Sequence, residues 1–276
     1  MVSQPQAIQS RIPADHGTTS CQPVRRASGG LLIINADDWG RDYQNTECAL
    51  ACFKAGAITS VSGMVFMEDS ERAAAISNER RIDSALHLNL TTPFSAANAP
   101  ERLAEHQQRT ARFLGRNRMA QTVYHPGLMD SFEYVVKAQL DEFRRVYGME
   151  PRRIDGHHHM HLCANVLFGG LLPDGTAVRR NFTFSQGEKS LVNRLYRSLL
   201  DRMLARRHRL TDFFFSLPPL QPVERIEHIF AVAACSVVEV EAHPVRQNEY
   251  EFLMSDDFRR LTATLRLASF ESLCHQ

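Results

Sequence analysis

Leu31-Leu32-Ile33-Ile34 is the stretch that most constrains the fold: four consecutive apolar residues, entered from Gly29-Gly30 and left through polar ones. So short and uniform a run suits a strand buried on both faces, as in a parallel sheet covered by helices. From about Asn45 to Lys54, Ala49, Leu50, Cys52 and Phe53 recur at helical spacing, and Gly56 offers a C-terminal stop. The unit then repeats, with Ile58 to Phe66 strand-like, Ser70 to Ser77 alanine-rich and Ser84 to Leu90 strand-like again. Alternation of this kind predicts an α/β fold with a parallel sheet and helices outside it.

Further along, Phe132 to Tyr147 carries apolar residues at helical intervals and is closed by Gly148 and Pro151. Arg153-Ile154-Asp155 begins a strand that runs into a histidine cluster, Val237 to Glu241 alternates as a strand, and Phe258 to Leu267 reads as a final helix. The stretch from about 168 to 222 resists parsing beyond a helix over Leu191 to Ala205, a basic run Arg206-Arg207-His208-Arg209 and the aromatic triplet Phe213-Phe214-Phe215. A basic run beside aromatics is more often a solvated helix end next to a core strand than a nucleic-acid contact.

With 276 residues, 43% of them hydrophobic, the chain can bury one large core, and a single domain is expected over 30–276. Residues 1–29 have no sustained apolar run and read as a disordered leader rather than a secretory signal. No uninterrupted apolar stretch reaches the roughly 18 residues of a spanning helix. Lysine plus arginine total 32 against 31 acidic residues, so no global field draws nucleic acid or an anionic membrane, and a small neutral partner fits better. The six cysteines lack CxxC spacing and read as reduced thiols, which points to the cytoplasm. Cys48 and Cys52 stand one helical turn apart, a spacing open to a metal, but the core reading is preferred.

Four polar groups recur in one structural position: Asp37-Asp38, His87, His157 and His243 all lie at or just past the C-terminal ends of expected parallel strands. In α/β barrels that end collects side chains from different strands into one site. An Asp pair alone is more often a cap or turn feature. On an extended stretch its two carboxylates face opposite sides, so one can bind a metal while the other faces a water. The cluster Asp155-Gly156-His157-His158-His159-Met160-His161 is harder to explain by packing, because buried imidazoles need hydrogen-bond partners and gain little from crowding. In extended geometry His157, His159 and His161 would share one side; the bland alternative is a surface tract that binds metal adventitiously. His87 alone would read as a satisfied core residue. With the others, an Asp and two His would fill three positions on a divalent cation and leave the rest for water and substrate, as a catalytic site requires.

Five ordered blocks carry a resemblance: Ile34-Asn35-Ala36-Asp37-Asp38-Trp39-Gly40, Gly56-Ala57-Ile58-Thr59-Ser60, His87-Leu88-Asn89-Leu90-Thr91, the histidine cluster, and Glu239 with His243-Pro244. Together they resemble the YdjC-like carbohydrate deacetylases, which include chito-oligosaccharide deacetylase, from about residue 30 onward. The resemblance implies a (β/α) barrel enzyme of the glycoside hydrolase/deacetylase type that uses a divalent metal to hydrolyse the acetamide of N-acetylglucosamine units. It implies Asp38, His87 and His157 as metal ligands, Asp37 as base and His243 as acid. This chain has Trp39 where the family usually has Phe, and Ala242 within the family's Cys-His-Pro. Family habit makes the ion Mg2+, whereas two imidazoles and a carboxylate also suit Zn2+. Related enzymes tend to pair, so a homodimer is expected by analogy. Two rivals stand beside the deacetylase: a metal-dependent phosphoesterase, which calls for a cationic cradle or second metal, and a barrel that binds sugar or metal without turnover.

Overall fold

The computed structural model describes residues 29–184 and 188–273. The leader expected over 1–29 lies, except for Gly29, outside them. The chain runs β1 (Leu31–Trp39), α1 (Tyr43–Lys54), β2 (Ser60–Gly63), α2 (Ser70–Arg80), β3 (Asp83–Leu88), α3 (Glu101–Leu114), α4 (Met129–Tyr147) and β4 (Arg153–Gly156). It continues through α5 (Ala164–Gly169), β5 (Ala177–Val178), α6 (Leu191–Leu204), β6 (Phe213–Ser216), α7 (Val223–Ala233), β7 (Val237–Ala242), α8 (Gln247–Met254) and α9 (Asp256–Thr262). The strands form one sheet, ordered β5-β4-β3-β2-β1-β7-β6, with every neighbouring pair parallel.

That sheet curls into a barrel whose edges meet without a full ladder. Val178 N–H donates to Arg209 C=O at 2.9 Å and Thr183 N–H to Phe214 C=O at 2.8 Å, joining the chain around β5 to the approach and body of β6. The expected barrel is therefore seven-stranded and incompletely closed.

Burial along β1 shows why its opening run is apolar throughout. Leu32, Ile34 and Ala36 pack outward in the cluster that includes Val238, Val240 and Phe230. Leu31 and Ile33 join Phe270 in a second cluster. Above those two the same side of β1 turns polar, with Asn35 and Asp37, and β7 matches it with Glu239 and Glu241. The barrel interior thus carries buried charge, closed off from below by an apolar plug.

Several expected boundaries shift. The strand expected over Ile58 to Phe66 is laddered only at Ser60–Gly63, and the last helix lies at Asp256–Thr262 rather than Phe258 to Leu267. Leu267 instead bridges to Leu32 as extended chain, so its apolar side chain serves the sheet, not a helix. Phe213–Ser216 is β6 and the basic run follows α6, as the core-strand reading expected. Among the described cysteines, Cys48, Cys52, Cys163 and Cys235 are free. Burial pushes the Cys52 thiol up to about 12, which opposes a thiolate ligand there. No described helix is long and apolar enough to cross a membrane.

Candidate metal centre

β1 does not run straight into the barrel mouth. Its register with β2 shifts between Ala36 and Trp39, and Asp38 takes a left-handed φ of 62°. In an unbroken strand Asp37 and Asp38 would face opposite sides. The bulge instead turns both carboxylates toward one cavity. Asp37 Oδ2 lies 4.0 Å from His87 Nε2, and Asp38 Oδ1 lies 3.4 Å from the same nitrogen. His157, the first residue past β4, places Nδ1 2.9 Å from Asp38 Oδ1. His243, just past β7, lines the same cavity, whose volume is about 250 Å³. All five residues expected in the site are brought together.

The histidine tract is not extended. His158 and His159 take φ of 54° and 58°, so the tract coils in a tight turn and alternate residues do not share a side. Only His157 turns to Asp38. His158 Nδ1 meets Thr91 Oγ1 at 3.0 Å, His159 Nε2 lies 3.5 Å from Glu241, and His161 Nε2 lies 3.0 Å from the Arg179 carbonyl. Gly156 allows the turn, since a Cβ there would sit 3.0 Å from the backbone nitrogen, Cβ and Nδ1 of His161. Two consecutive left-handed non-glycine residues cost of order 1–3 kcal/mol each, and such strain gathers at functional sites.

Three charged groups that sequence reasoning gave no role hold this site in shape. Arg179, fully buried past β5, grips Asp37 with Nη1 to Oδ2 and Nη2 to Oδ1, both 2.7 Å. The same guanidinium reaches Asp155 at 3.1 Å, Glu239 at 2.8 Å and Glu241 at 3.4 Å. Asp155 meets His87 Nδ1 at 2.7 Å, which fixes the ring and aims Nε2 at the Asp pair. Arg153 bridges Asp155 and Glu239 from below. A two-residue β5 gives no periodic signal, so the sequence offered no way to place Arg179. Asp155, which opens the histidine cluster, was the nearest available hint.

Burial alone would raise Asp37, but Arg179 and His87 together outweigh it and bring the carboxyl to about 2. Burial would lower His87, yet Asp37, Asp155 and Asp38 push it up to about 10. Burial likewise opposes ionisation of Asp38, but His157 and His87 carry its carboxyl well below the usual range. Glu241 goes the other way: burial and the nearby Asp37 charge raise it far above an ordinary carboxylate, against the pull of Arg179. His243 is lowered, mainly by burial.

The residues present fit a divalent cation. Asp38 Oδ1 and His157 Nε2 are buried without a hydrogen-bond partner, although Asp38 Oδ1 stands within 3.4 Å of two ring nitrogens. A carboxylate oxygen and two imidazole nitrogens converging on one point form a donor set that a divalent cation satisfies. Arg41 binds the other oxygen, Asp38 Oδ2, at 3.0 Å and leaves Oδ1 free. Among the described residues two groups present ligand atoms within 4.8 Å of one another: Asp38, His87 and His157, and Asp37, His87 and Asp155. Arg179 already occupies both carboxylates of the second group, so the first suits an ion better.

Fold and site together define an α/β barrel with a buried Asp-His-His cluster, able to hold a divalent cation at the C-terminal ends of its strands. The family model described as YdjC-like protein matches residues 31–264, and the chain belongs to that family. It is 29% identical over 136 residues to a carbohydrate deacetylase of Mus musculus, an alignment covering 49% of this chain and 44% of that protein. It is 29% identical over 141 residues to a chitooligosaccharide deacetylase of Proteus mirabilis (strain HI4320), covering 48% and 50%. The chain thus spans about half the length of the curated relatives it matches. A crystal structure from Enterococcus faecalis V583, named for cellobiose-phosphate cleavage, superposes with a TM-score of 0.61 at 21% identity, covering 89% of this chain and 99% of that one. At that identity the likeness shows the fold.

Proposed function

We propose that the protein is a metal-dependent hydrolase that removes the N-acetyl group from N-acetylglucosamine-containing saccharides. The observation that carries this is the unpartnered Asp38 Oδ1 facing His87 and His157, with Asp37 and His243 lining the same small cavity. Membership of the YdjC-like family and the printed names of the relatives supply the substrate class.

Amide hydrolysis needs help at both ends, because water is a poor nucleophile and an amine a poor leaving group. A divalent cation held by Asp38, His87 and His157 supplies acidification of a water and polarisation of the acetyl carbonyl. Asp37 is the base. Arg179 and Asn35 fill three of its four acceptor positions, so one lone pair of Oδ2 stays open to take a proton from the attacking water. His243 is the acid. Its ring lines the cavity, its Nδ1 has no protein partner, and in the imidazolium form it protonates the departing sugar nitrogen. Products are acetate and a free amino sugar. A cavity of about 250 Å³ encloses the acetamido end of one sugar rather than an oligomer.

The family habit makes magnesium the first ion to supply and zinc the second, the latter favoured by the two nitrogen donors. The phosphoesterase rival calls for free cations at the mouth. The two arginines there already hold carboxylates, Arg41 on Asp38 and Arg246 on Glu249. Free thiols support a cytoplasmic location. The test is to incubate metal-loaded protein with N-acetylglucosamine oligomers and a panel of phosphoesters. Acetate release abolished by a chelator is expected; phosphate release without acetate would reject the deacetylase reading.

A further inference from the structure

Two polar residues of the cavity wall have no place among the metal ligands, base and acid: Glu241 and His159. The other polar side chains lining it, Arg41, Arg246 and His158, are engaged by Asp38, Glu249 and Thr91. Glu241 lies on β7 opposite Asn35 and shares Arg179 Nη1 with Asp37, at 3.4 Å from Glu241 Oε2 and 2.7 Å from Asp37 Oδ2. It therefore stands beside the base. His159 faces it, with Nε2 3.5 Å from the same Oε2, and their side chains are 29% and 6% exposed for His159 and Glu241.

Charge compensation within the barrel does not account for Glu241. Glu239, two residues earlier on the same side of β7, is bonded by Arg179 at 2.8 Å and by Arg153 at 3.1 Å and has no opening to the cavity. Arg179 spends its shortest bonds on Asp37 and Glu239, and the 3.4 Å bond is the sole side-chain hydrogen bond of Glu241 among the described residues. Burial and the Asp37 charge raise the Glu241 carboxyl far above its ordinary value, so it keeps a proton to donate. His159 is aimed at it by the left-handed turn at φ 58°, with its ring against Phe182 at 4.5 Å and Phe214 at 5.9 Å. Such a conformation persists where the surroundings over-determine it, and it clusters at sites that bind ligands.

We infer that Glu241 and His159 together bind the hydroxyl next to the acetamido carbon, so that the site selects acetylated amino sugars over acetamides lacking a hydroxyl there. The inference rests on the deacetylase reading; in a saccharide linked through C1, the hydroxyl concerned is that of C3. A hydroxyl oxygen can stand about 2.8 Å from both atoms of a pair 3.5 Å apart, accepting from the carboxyl while it donates to the ring nitrogen. Because Asp37 adjoins Glu241, the acetamide then meets the base while its neighbouring hydroxyl meets the pair. A substrate without that hydroxyl leaves a buried carboxyl and an imidazole unpaired, and it is rejected for that reason.

The test compares the methyl glycoside of N-acetylglucosamine with its 3-deoxy analogue on the wild type, Glu241→Ala, Glu241→Gln and His159→Asn. Asparagine is chosen because it tolerates a left-handed φ. Acetate release from the metal-loaded protein gives kcat/KM, and calorimetry on the metal-free protein gives Kd without hydrolysis. The wild type should favour the hydroxylated sugar by about 100-fold in both. Glu241→Ala and His159→Asn should lose that factor on the hydroxylated sugar and change less than about threefold on the deoxy one. Glu241→Gln still donates and should keep most of the preference; His159→Asn carries the comparison if Glu241→Ala does not fold. Equal losses on both sugars, a preference that survives in Glu241→Ala and His159→Asn, or a wild type that does not distinguish the two sugars would overturn the pairing. A wild type that binds with the expected preference and releases no acetate would reject the deacetylase reading alone, its Kd values still supporting the pair.

Discussion

Arg179 closes on Asp37 with two parallel hydrogen bonds of 2.7 Å, across 142 positions of sequence and wholly within the barrel. The pairing explains how a barrel interior tolerates Asp37, Asp155, Glu239 and Glu241 together: a single planar guanidinium touches all four. Arg179→Met should therefore cost about 3–5 kcal/mol, because it leaves buried carboxylates uncompensated. Urea unfolding at neutral pH measures it. Arg179→Lys should recover only part of that loss, since an ammonium cannot form the bidentate grip.

The same bond gives stability a pH dependence of known sign. Asp37 sits at about 2 in the folded protein against an ordinary 3.8, so its ionised form favours folding above the ordinary value. That contribution, about 2 kcal/mol, is lost as pH falls from about 4 through 2. Asp37→Asn should flatten this part of a stability-against-pH curve; an unchanged curve would show that the carboxylate is not held down by Arg179.

The assigned base and acid separate by leaving group. Asp37→Asn and His243→Ala should each lower kcat on N-acetylglucosamine oligomers by about 10²–10⁴. On 4-nitroacetanilide, whose amine departs without much protonation, His243→Ala should recover most of its loss and Asp37→Asn should not. Equal recovery of both variants would exchange or cancel the roles.

Metal uptake should release a proton. In the metal-free protein burial disfavours the charged His87 ring, but its surrounding carboxylates hold the pKa at about 10, so the ring is protonated at neutral pH and must lose that proton to ligate. Apparent affinity should climb about tenfold per unit between about pH 7 and 9. Titration calorimetry in buffers of different ionisation enthalpy counts the proton directly.

Gly63 has no room for a side chain. A Cβ there would meet Tyr147 Oη at 2.2 Å, and Tyr147 is buried and stacked on Phe143 at 4.1 Å. Gly63→Ala should destabilise by about 1–3 kcal/mol in thermal melts. Gly29→Ala, which faces open space, is the control and should change nothing.

How far the sequence could be read follows from which signals are local. The opening apolar run, the Phe132 to Tyr147 periodicity and the strand-end placement of Asp37, Asp38, His87, His157 and His243 are carried by neighbours in the chain, and all five side chains meet. The local shape of two stretches beside them is not legible. A bulge at Asp38 and left-handed turns at His158 and His159 leave no trace in residue types, so both stretches read as extended. The alternation in Val237–Ala242 reads alike whether its glutamates face solvent or a charged interior, and here Glu239 and Glu241 are buried. Arg179 depends on a strand of two residues and on partners far along the chain. Helices α3, α5, α7 and α8 have no counterpart in the sequence reading, although α3 carries an amphipathic pattern, with Leu103, Gln107, Thr110 and Leu114 on its buried side.

In the proposed enzyme Asp38, His87 and His157 jointly hold one divalent ion. Metal content by mass spectrometry, after loading and desalting, tests it on the wild type and five variants. One ion per chain is expected in the wild type, Asp37→Asn and His243→Ala, and nearly none in Asp38→Ala, His87→Ala and His157→Ala. A full complement of metal retained by any of those last three would contradict it.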